Sequence, residues 1–205
     1  MFSYLIGISG GSASGKTSFI QALSQLFDNE ELCILSQDNY YKEKFEQECD
    51  ENGKINFDLP NCIDMKSFLN DIRQLKAGKS IRRKEYQFQL EGNDTREIIT
   101  NPSPVIIVEG LFLLHFEEIF NELDLKIFID AQDSIKLQRR LERDIKERGV
   151  PREQVIYQWE NHVLPSFHKY LAPFRDEADI IINNNEHFLT SLQVISDHIK
   201  IILNK

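Results

Sequence analysis

Gly10, Gly11, Ser12, Ala13, Ser14, Gly15, Lys16 and Thr17 form a G-x-x-x-x-G-K-T run between an apolar stretch at 4–8 and a helical pattern of Phe19, Leu23, Leu26 and Phe27. Glycines let successive backbone N–H groups turn inward around a phosphate, and the next helix offers the positive end of its dipole. Lys16 can then reach the outer phosphates, while Thr17 presents a hydroxyl to Mg²⁺. Ser18 continues this junction. A small-residue turn alone would not explain the lysine. A dinucleotide fingerprint is the competing reading, and it fails because the middle glycine of G-x-G-x-x-G is Ser12.

Two acids stand where such a loop needs them. Val105, Ile106, Ile107 and Val108 run into Glu109, an apolar strand ending in a carboxylate that can support Mg²⁺ directly or through water. Asp38 follows the apolar run 32–35, just past the carboxyl end of a strand, where open parallel sheets bind ligands. A lone Asp in that setting reads as a helix cap. Beside a phosphate loop it reads as the group that orients a hydroxyl and takes its proton, worth on the order of 10²–10⁴ in rate.

A third feature is the basic segment from Arg139 to Arg148. Lys136, Arg140 and Arg143 share one helical face, while Leu137, Leu141 and Ile145 share another. The spacings Glu142 to Lys146 and Asp144 to Arg148 would also suit a solvated, ion-paired helix. The alternative is that arginines of such a helix close over a site, where they would stabilise charge on a transferring phosphoryl group and exclude water.

Five apolar runs, at 4–8, 32–35, 105–108, 126–129 and 180–182, must position these groups. Most are apolar at successive positions, as in strands covered on both faces, and helical patterns separate them. The fold class predicted is α/β with a doubly wound parallel sheet. Residues 42–54 are charged with few apolar anchors and read as a mobile surface loop within an insertion at about 42–60. Residues 85–100 read as a β-hairpin, because Tyr86, Phe88 and Leu90 alternate before Glu91, Gly92, Asn93 and Asp94, and Ile98 and Ile99 follow. By pattern alone the alternating face reads as core, although its rings could also stack on a planar ligand. With a lid at about 139–158 and no linker or repeat, residues 1–205 read as a single domain.

Composition limits the partners. The chain has 205 residues, 41% hydrophobic and 28% charged, with only 9 Gly and 6 Pro, which excludes disordered and collagen-like classes. A net charge of −9 argues against a nucleic-acid binder, so an anionic ligand must be held by a local site. Cys33, Cys49 and Cys62 are an odd number at wide spacing, which suits a reducing cytoplasm. No basic leader or apolar stretch of membrane-spanning length opens the chain, so no membrane partner is expected.

In family order, the chain carries Gly7 through Thr17, Ile34 through Tyr41, Asn56-Phe57-Asp58-Leu59-Pro60, Val108-Glu109-Gly110, Arg139-Arg140 through Arg148-Gly149 and Ala178-Asp179-Ile180-Ile181-Ile182. Together these resemble the uridine-cytidine kinase family. The resemblance implies a P-loop NTPase-type sheet with a substrate hairpin and a helical lid. It implies transfer of the γ-phosphoryl of ATP, or GTP, with Mg²⁺, to the 5′-hydroxyl of a pyrimidine ribonucleoside, uridine or cytidine, and suggests a homo-oligomer. Asp38 matches the catalytic base, Thr17 and Glu109 the metal positions, and Lys16, Arg140, Arg143 and Arg148 the phosphate-side cations. Asp58 matches an acid that holds the ribose hydroxyls. Tyr41, Tyr86 and Phe88 match residues around the nucleoside, and Gln158 matches a lid-side contact shared with Arg140.

Departures from the family cluster at the acceptor. The usual His-Pro after the ribose acid is Leu59-Pro60, and the hairpin Tyr-Asp-Phe is Tyr86-Gln87-Phe88. The hairpin histidine that contacts the base has no equivalent in Gln89-Leu90-Glu91-Gly92-Asn93. An arginine after the lid glycine is Val150, with Arg152 nearby. None of His115, His162, His168, His187 and His198 fills that gap by position, and Trp159 reads as packing. Losing a buried hydrogen-bonding group moves base selection while leaving phosphoryl transfer intact. Two alternatives therefore stay open. One is a related P-loop kinase for another small hydroxyl substrate, such as nicotinamide riboside, whose cationic base would suit Glu91; the other is a non-catalytic nucleotide-binding regulator.

Overall fold

Apolar residues at consecutive positions can be satisfied only where both faces of a strand are covered, and the central strands obey that rule. The computed structural model describes residues 3–86 and 96–204. Its strands are β1 (Tyr4–Gly10), β2 (Leu32–Ser36), β3 (Ile81–Lys84), β4 (Glu97–Thr100), β5 (Val105–Glu109), β6 (Leu125–Asp130) and β7 (Ile180–Asn183). Five of them form a parallel sheet in the order β2-β5-β1-β6-β7, and β3 pairs antiparallel with β4. The helical segments are α1 (Lys16–Ser24), α2 (Met65–Lys76), α3 (Glu117–Phe120), α4 (Asp133–Lys146), α5 (Arg152–Gln158), α6 (Leu164–Ser166) and α7 (Leu189–Leu203).

Alternate residues of β1 feed opposite core layers. Leu5 packs with Phe68, Ile72, Phe112 and Phe128 on the α2 face. Ile6 and Ile8 pack with Phe19, Leu23, Ile195 and Ile199 under α1 and α7. Phe19, Phe68 and Phe128 are fully buried, each contributing roughly 1.5–3 kcal/mol by leaving water. Parallel register then lines up the carboxyl ends of the strands: Glu109 lies opposite both Ile8 of β1 and Ser36 of β2, and Asp130 lies opposite Asn183. That shared edge holds the loops that matter.

Three expectations change in detail. The hairpin exists, but its ladder pairs Ile81 with Thr100 and Lys84 with Glu97, earlier on the first arm than the Tyr86–Phe88–Leu90 alternation suggests. Phe88, Leu90 and Glu91 lie outside the described residues. Residues 42–54 are not an unanchored loop: a 3₁₀ turn at Lys44–Glu46 and a bridge between Cys49 and Ile55 give them structure, and Asp50 bonds to Tyr157 and His162. In α4 the buried residues are Lys136, Arg140 and Asp144, while Ile145 of the apolar stripe is 38% exposed. The charged face turns inward because it faces the site rather than the core.

After α5 the chain continues through two wide helical turns, Trp159–Val163 and Phe167–Leu171, flanking α6. Pro165 in α6 has no N–H to donate, which favours such widening. Among the described residues no helix is long and apolar enough to cross a membrane.

Candidate active site

The phosphate loop leaves β1 at Gly10 and enters α1 at Lys16. Gly15 is the N-cap at φ +102°, and a Cβ there would stand 2.1 Å from Nδ2 of Asn184, so both conformation and space demand glycine. Asn184, itself buried, donates to the Ser14 carbonyl at 2.8 Å and props the loop from behind. Ala13 adopts φ +59°, a left-handed conformation unusual outside glycine and often found at functional sites. No side chain caps the N-terminus of α1, and its first turn holds no acid. Its N–H groups are available to an anion. Lys16 Nζ donates to the carbonyls of Gly10 at 2.8 Å and Gly11 at 3.3 Å, beside that helix end.

Two carboxylates face the same region. Ser36 ends β2, and its hydroxyl donates to Glu109 while accepting from the Asp38 backbone N–H at 3.2 Å, so one serine orders both acids. Asp38 opens onto the cleft yet is walled by protein on its other sides, and that burial raises its carboxyl above the ordinary range; Lys16, Arg148 and Arg143 pull it back. Glu109 is pushed up to about 7, first by burial and then by the Asp38 charge. Lys16 is lowered by burial despite the pull of both acids. Two carboxylates raised by burial, one of them also by the other's charge, form a set a divalent cation would relieve. One or two carboxylates with a hydroxyl, here Thr17, match the sparse protein ligation of Mg²⁺. No cluster of three or more His, Cys, Asp or Glu with metal-binding geometry occurs among the described residues.

The basic helix forms the opposite wall. Arg140 donates through Nη1 to Ser12 Oγ at 2.8 Å and through Nη2 to Gln158 at 3.2 Å, joining α4 to the phosphate loop and to α5. Asp144, 2% exposed, holds three guanidinium groups: Arg143 at 2.8 Å, Arg148 at 3.2 Å and Arg140 at 3.3 Å. The predicted Asp144–Arg148 pair is thus one spoke of a hub. Like charges otherwise repel, so the hub allows three arginines to stand together over the loop.

On the third side stand Tyr41, Phe57 and Asp58. Tyr41 packs edge-on to Phe57, with ring centroids 6.1 Å apart, and lies 5.3 Å from Tyr86, whose backbone N–H donates to Asn39. Burial, then Asp38 and Asp58, raise the Tyr41 hydroxyl well above its usual range, so it stays protonated between two acids. Burial also raises Asp58, against the nearby positive charge of Arg140.

These groups line one open cleft of about 1120 Å³, more than the roughly 300–1,000 Å³ of a single small-molecule site and so roomy enough for two ligands. Ser12, Ala13, Gly15, Lys16, Thr17, Ser18, Asp38, Tyr41, Asp58, Glu109, Arg140, Arg143, Arg148 and Gln158, all named from sequence, meet on it. Gly10, Gly11, Ser14 and Tyr86 stand outside that lining, and Phe88 is outside the described residues. Sequence reasoning missed Phe57, Asp144, Gln154 and His162. His162 sits 2% exposed and bonded to Asp50, and nothing in its local spacing signals that contact. Trp159 is buried as packing, and Val150 lines the cleft where Arg152 does not.

Residues 5–191 match the phosphoribulokinase/uridine kinase family. The chain is 35% identical to a uridine kinase of Clostridium tetani over 98% of its own length and 96% of that protein. It is 38% identical to a uridine kinase of Borrelia garinii, over 96% and 94%. Among solved structures, phosphoribulokinase from Rhodobacter spheroides superposes with a TM-score of 0.65 at 16% identity, covering 88% of this chain and 70% of that one, a likeness of fold.

Proposed function

Because the chain belongs to the phosphoribulokinase/uridine kinase family and is a nucleoside kinase, we propose that it transfers the γ-phosphoryl group of ATP to the 5′-hydroxyl of a pyrimidine ribonucleoside, uridine or cytidine. One observation carries this reading: Asp38 stands between the Lys16 loop and the Tyr41–Asp58 side of a cleft large enough for two ligands. Supporting it, the uridine kinases of Clostridium tetani and Borrelia garinii align over nearly the whole chain.

Mg²⁺ with the nucleotide would supply the phosphoryl group and screen its charge, held by Thr17 and Glu109 and by the N–H groups of residues 10–18. Lys16 and the α1 N-terminus orient the phosphate end. Asp58 takes two sugar hydroxyls, a pairing a carboxylate can make through its two oxygens. Asp38 accepts the hydroxyl proton, and its raised affinity for protons suits it to that task. Arg140, Arg143 and Arg148 place positive charge where negative charge spreads during transfer. Closure of α4 over the loop, tied by Arg140 to Ser12, keeps water out.

The test is ADP release across uridine, cytidine, nicotinamide riboside, adenosine and no acceptor, with Asp38→Asn beside the wild type. Turnover is expected with uridine or cytidine, and the variant should lose at least about 10²-fold in kcat with ATP binding unchanged. Absence of turnover on both pyrimidines overturns the acceptor, and full turnover in Asp38→Asn overturns the base.

A further inference from the structure

Asp50 and His162 are 112 residues apart in sequence, yet Nε2 of His162 lies 2.7 Å from Oδ2 of Asp50. The same oxygen accepts from the Tyr157 hydroxyl at 2.7 Å. The other carboxylate oxygen accepts the backbone N–H groups of Asn52 and Lys54, both at 2.9 Å, and closes a tight turn around Gly53 at φ +71°. Asn52 Nδ2 returns to the Tyr157 hydroxyl at 2.7 Å, and Lys54 Nζ sits 3.5 Å above the Tyr157 ring. Both carboxylate oxygens are therefore used, and hydrogen bonds, that of Tyr157 foremost, hold Asp50 well below the usual carboxylate range.

The position of this cluster gives it a consequence. One side of it is the turn at 50–54, from which the chain runs directly into Ile55, Phe57 and Asp58 of the cleft wall. The other side is α5 and the wide turn Trp159–Val163, which follow the arginine helix and carry Gln158. His162 itself lines the cleft beside Asp58. Residues 42–54 contribute little apolar burial: Phe45 is 86% exposed, and of 42–54 only Gln47 is buried. Gln47 donating to the Cys62 carbonyl, Asn61 donating to Glu48 and Cys62 Sγ donating to the Asn56 carbonyl tie this wall to residues on its own side of the cleft, whereas the Asp50 cluster ties it to the lid side.

We propose that Asp50, Tyr157 and His162 form a clasp that fastens the 50–58 segment to the lid-side helix and so positions Asp58 and Phe57 for the acceptor. They are positioning residues: Tyr157 and His162 hold Asp50, and all three act through the wall. This proposal rests on the acceptor reading above, because it takes Asp58 to meet the acceptor. It also explains how the acceptor wall and the lid, distant in sequence, can close as one unit. Phosphate-side groups are untouched by the clasp, so nucleotide affinity should not depend on it.

Two measurements on Asp50→Asn and Tyr157→Phe separate this idea from the function it builds on. The first is amide hydrogen exchange without ligand, where peptides spanning 48–58 should exchange at least about tenfold faster in Asp50→Asn and by a smaller factor in Tyr157→Phe. Unchanged exchange overturns the clasp. The second is steady-state kinetics with the acceptor the wild type uses. KM for the nucleoside should rise roughly tenfold in Asp50→Asn, with KM for ATP and kcat within about threefold of wild type. Faster exchange with an unaltered acceptor KM, or equal rises in both KM values, overturns the positioning role. Wild type without turnover on any nucleoside overturns the acceptor reading and the positioning role with it, while the exchange data still decide whether the clasp exists.

Discussion

Glu109→Gln should stabilise the ligand-free protein at alkaline pH while crippling it as an enzyme. Glu109 is pushed up to about 7 in the fold from an ordinary value of 4.5, by burial and by Asp38. Folding therefore raises its proton affinity, and the folded state binds more protons between those two values. The linkage is unfavourable for the ionised form: above about pH 7 the fold carries the full cost of a buried carboxylate, about 3 kcal/mol for 2.5 units at 1.36 kcal/mol each. The cost shrinks to about 1 kcal/mol near pH 5 and vanishes below 4.5, where the group is protonated folded and unfolded. Glutamine keeps the size, and its carbonyl can still accept the Ser36 hydroxyl. Glu109→Gln should therefore gain about 2–3 kcal/mol at pH 8, a Tm rise of about 4–12 °C for a chain of this length. The assay is thermal unfolding of metal-free, nucleotide-free wild type and variant at pH 8 and pH 5. A variant no more stable than wild type at pH 8, or a gain equal at both pH values, would refute the reasoning. Turnover should fall at least about 10²-fold, since the carboxylate that would support Mg²⁺ is gone.

Two other substitutions probe the loop and the lid. Asp144→Asn leaves three arginines without their buried anion; because Arg143 and Arg148 are partly exposed, the loss should be about 2–4 kcal/mol, below that of a fully buried pair, with kcat down about tenfold or more. Denaturant unfolding and initial rates measure both, and a stability within about 0.5 kcal/mol of wild type would show that the hub is not needed. Gly15→Ala forces a Cβ at φ +102° to within 2.1 Å of Asn184, so ATP affinity should fall at least about tenfold in a calorimetric titration, and unchanged affinity would contradict the loop geometry.

Sequence determined much of this protein because its signals are local. The glycine spacing and lysine of residues 10–17 specify a phosphate loop, since only those residue types let the backbone turn around an anion. Consecutive apolar residues at 105–108 specify a strand covered on both faces, and the carboxylate that ends it follows in the same reading. Glu109 is legible for that reason, whereas Asp38 reads as more than a helix cap only beside the phosphate loop, and the arginines of α4 are assigned to a lid only through the family resemblance. The charged face of α4 is legible, but not what it faces, because its amphipathic pattern gives the same periodicity whether charges face solvent or a cleft. Tertiary structure alone decided that Lys136, Arg140 and Asp144 turn inward, and that Ser36 orders Glu109 across 73 residues. It alone brought Asp50 to His162 across 112 residues and gave the charged stretch at 42–54 a partner. Contacts of that kind depend on parallel register and on which loop meets which helix. No propensity or spacing within either segment encodes the other's position, so they exist only once the sheet has brought the two ends together.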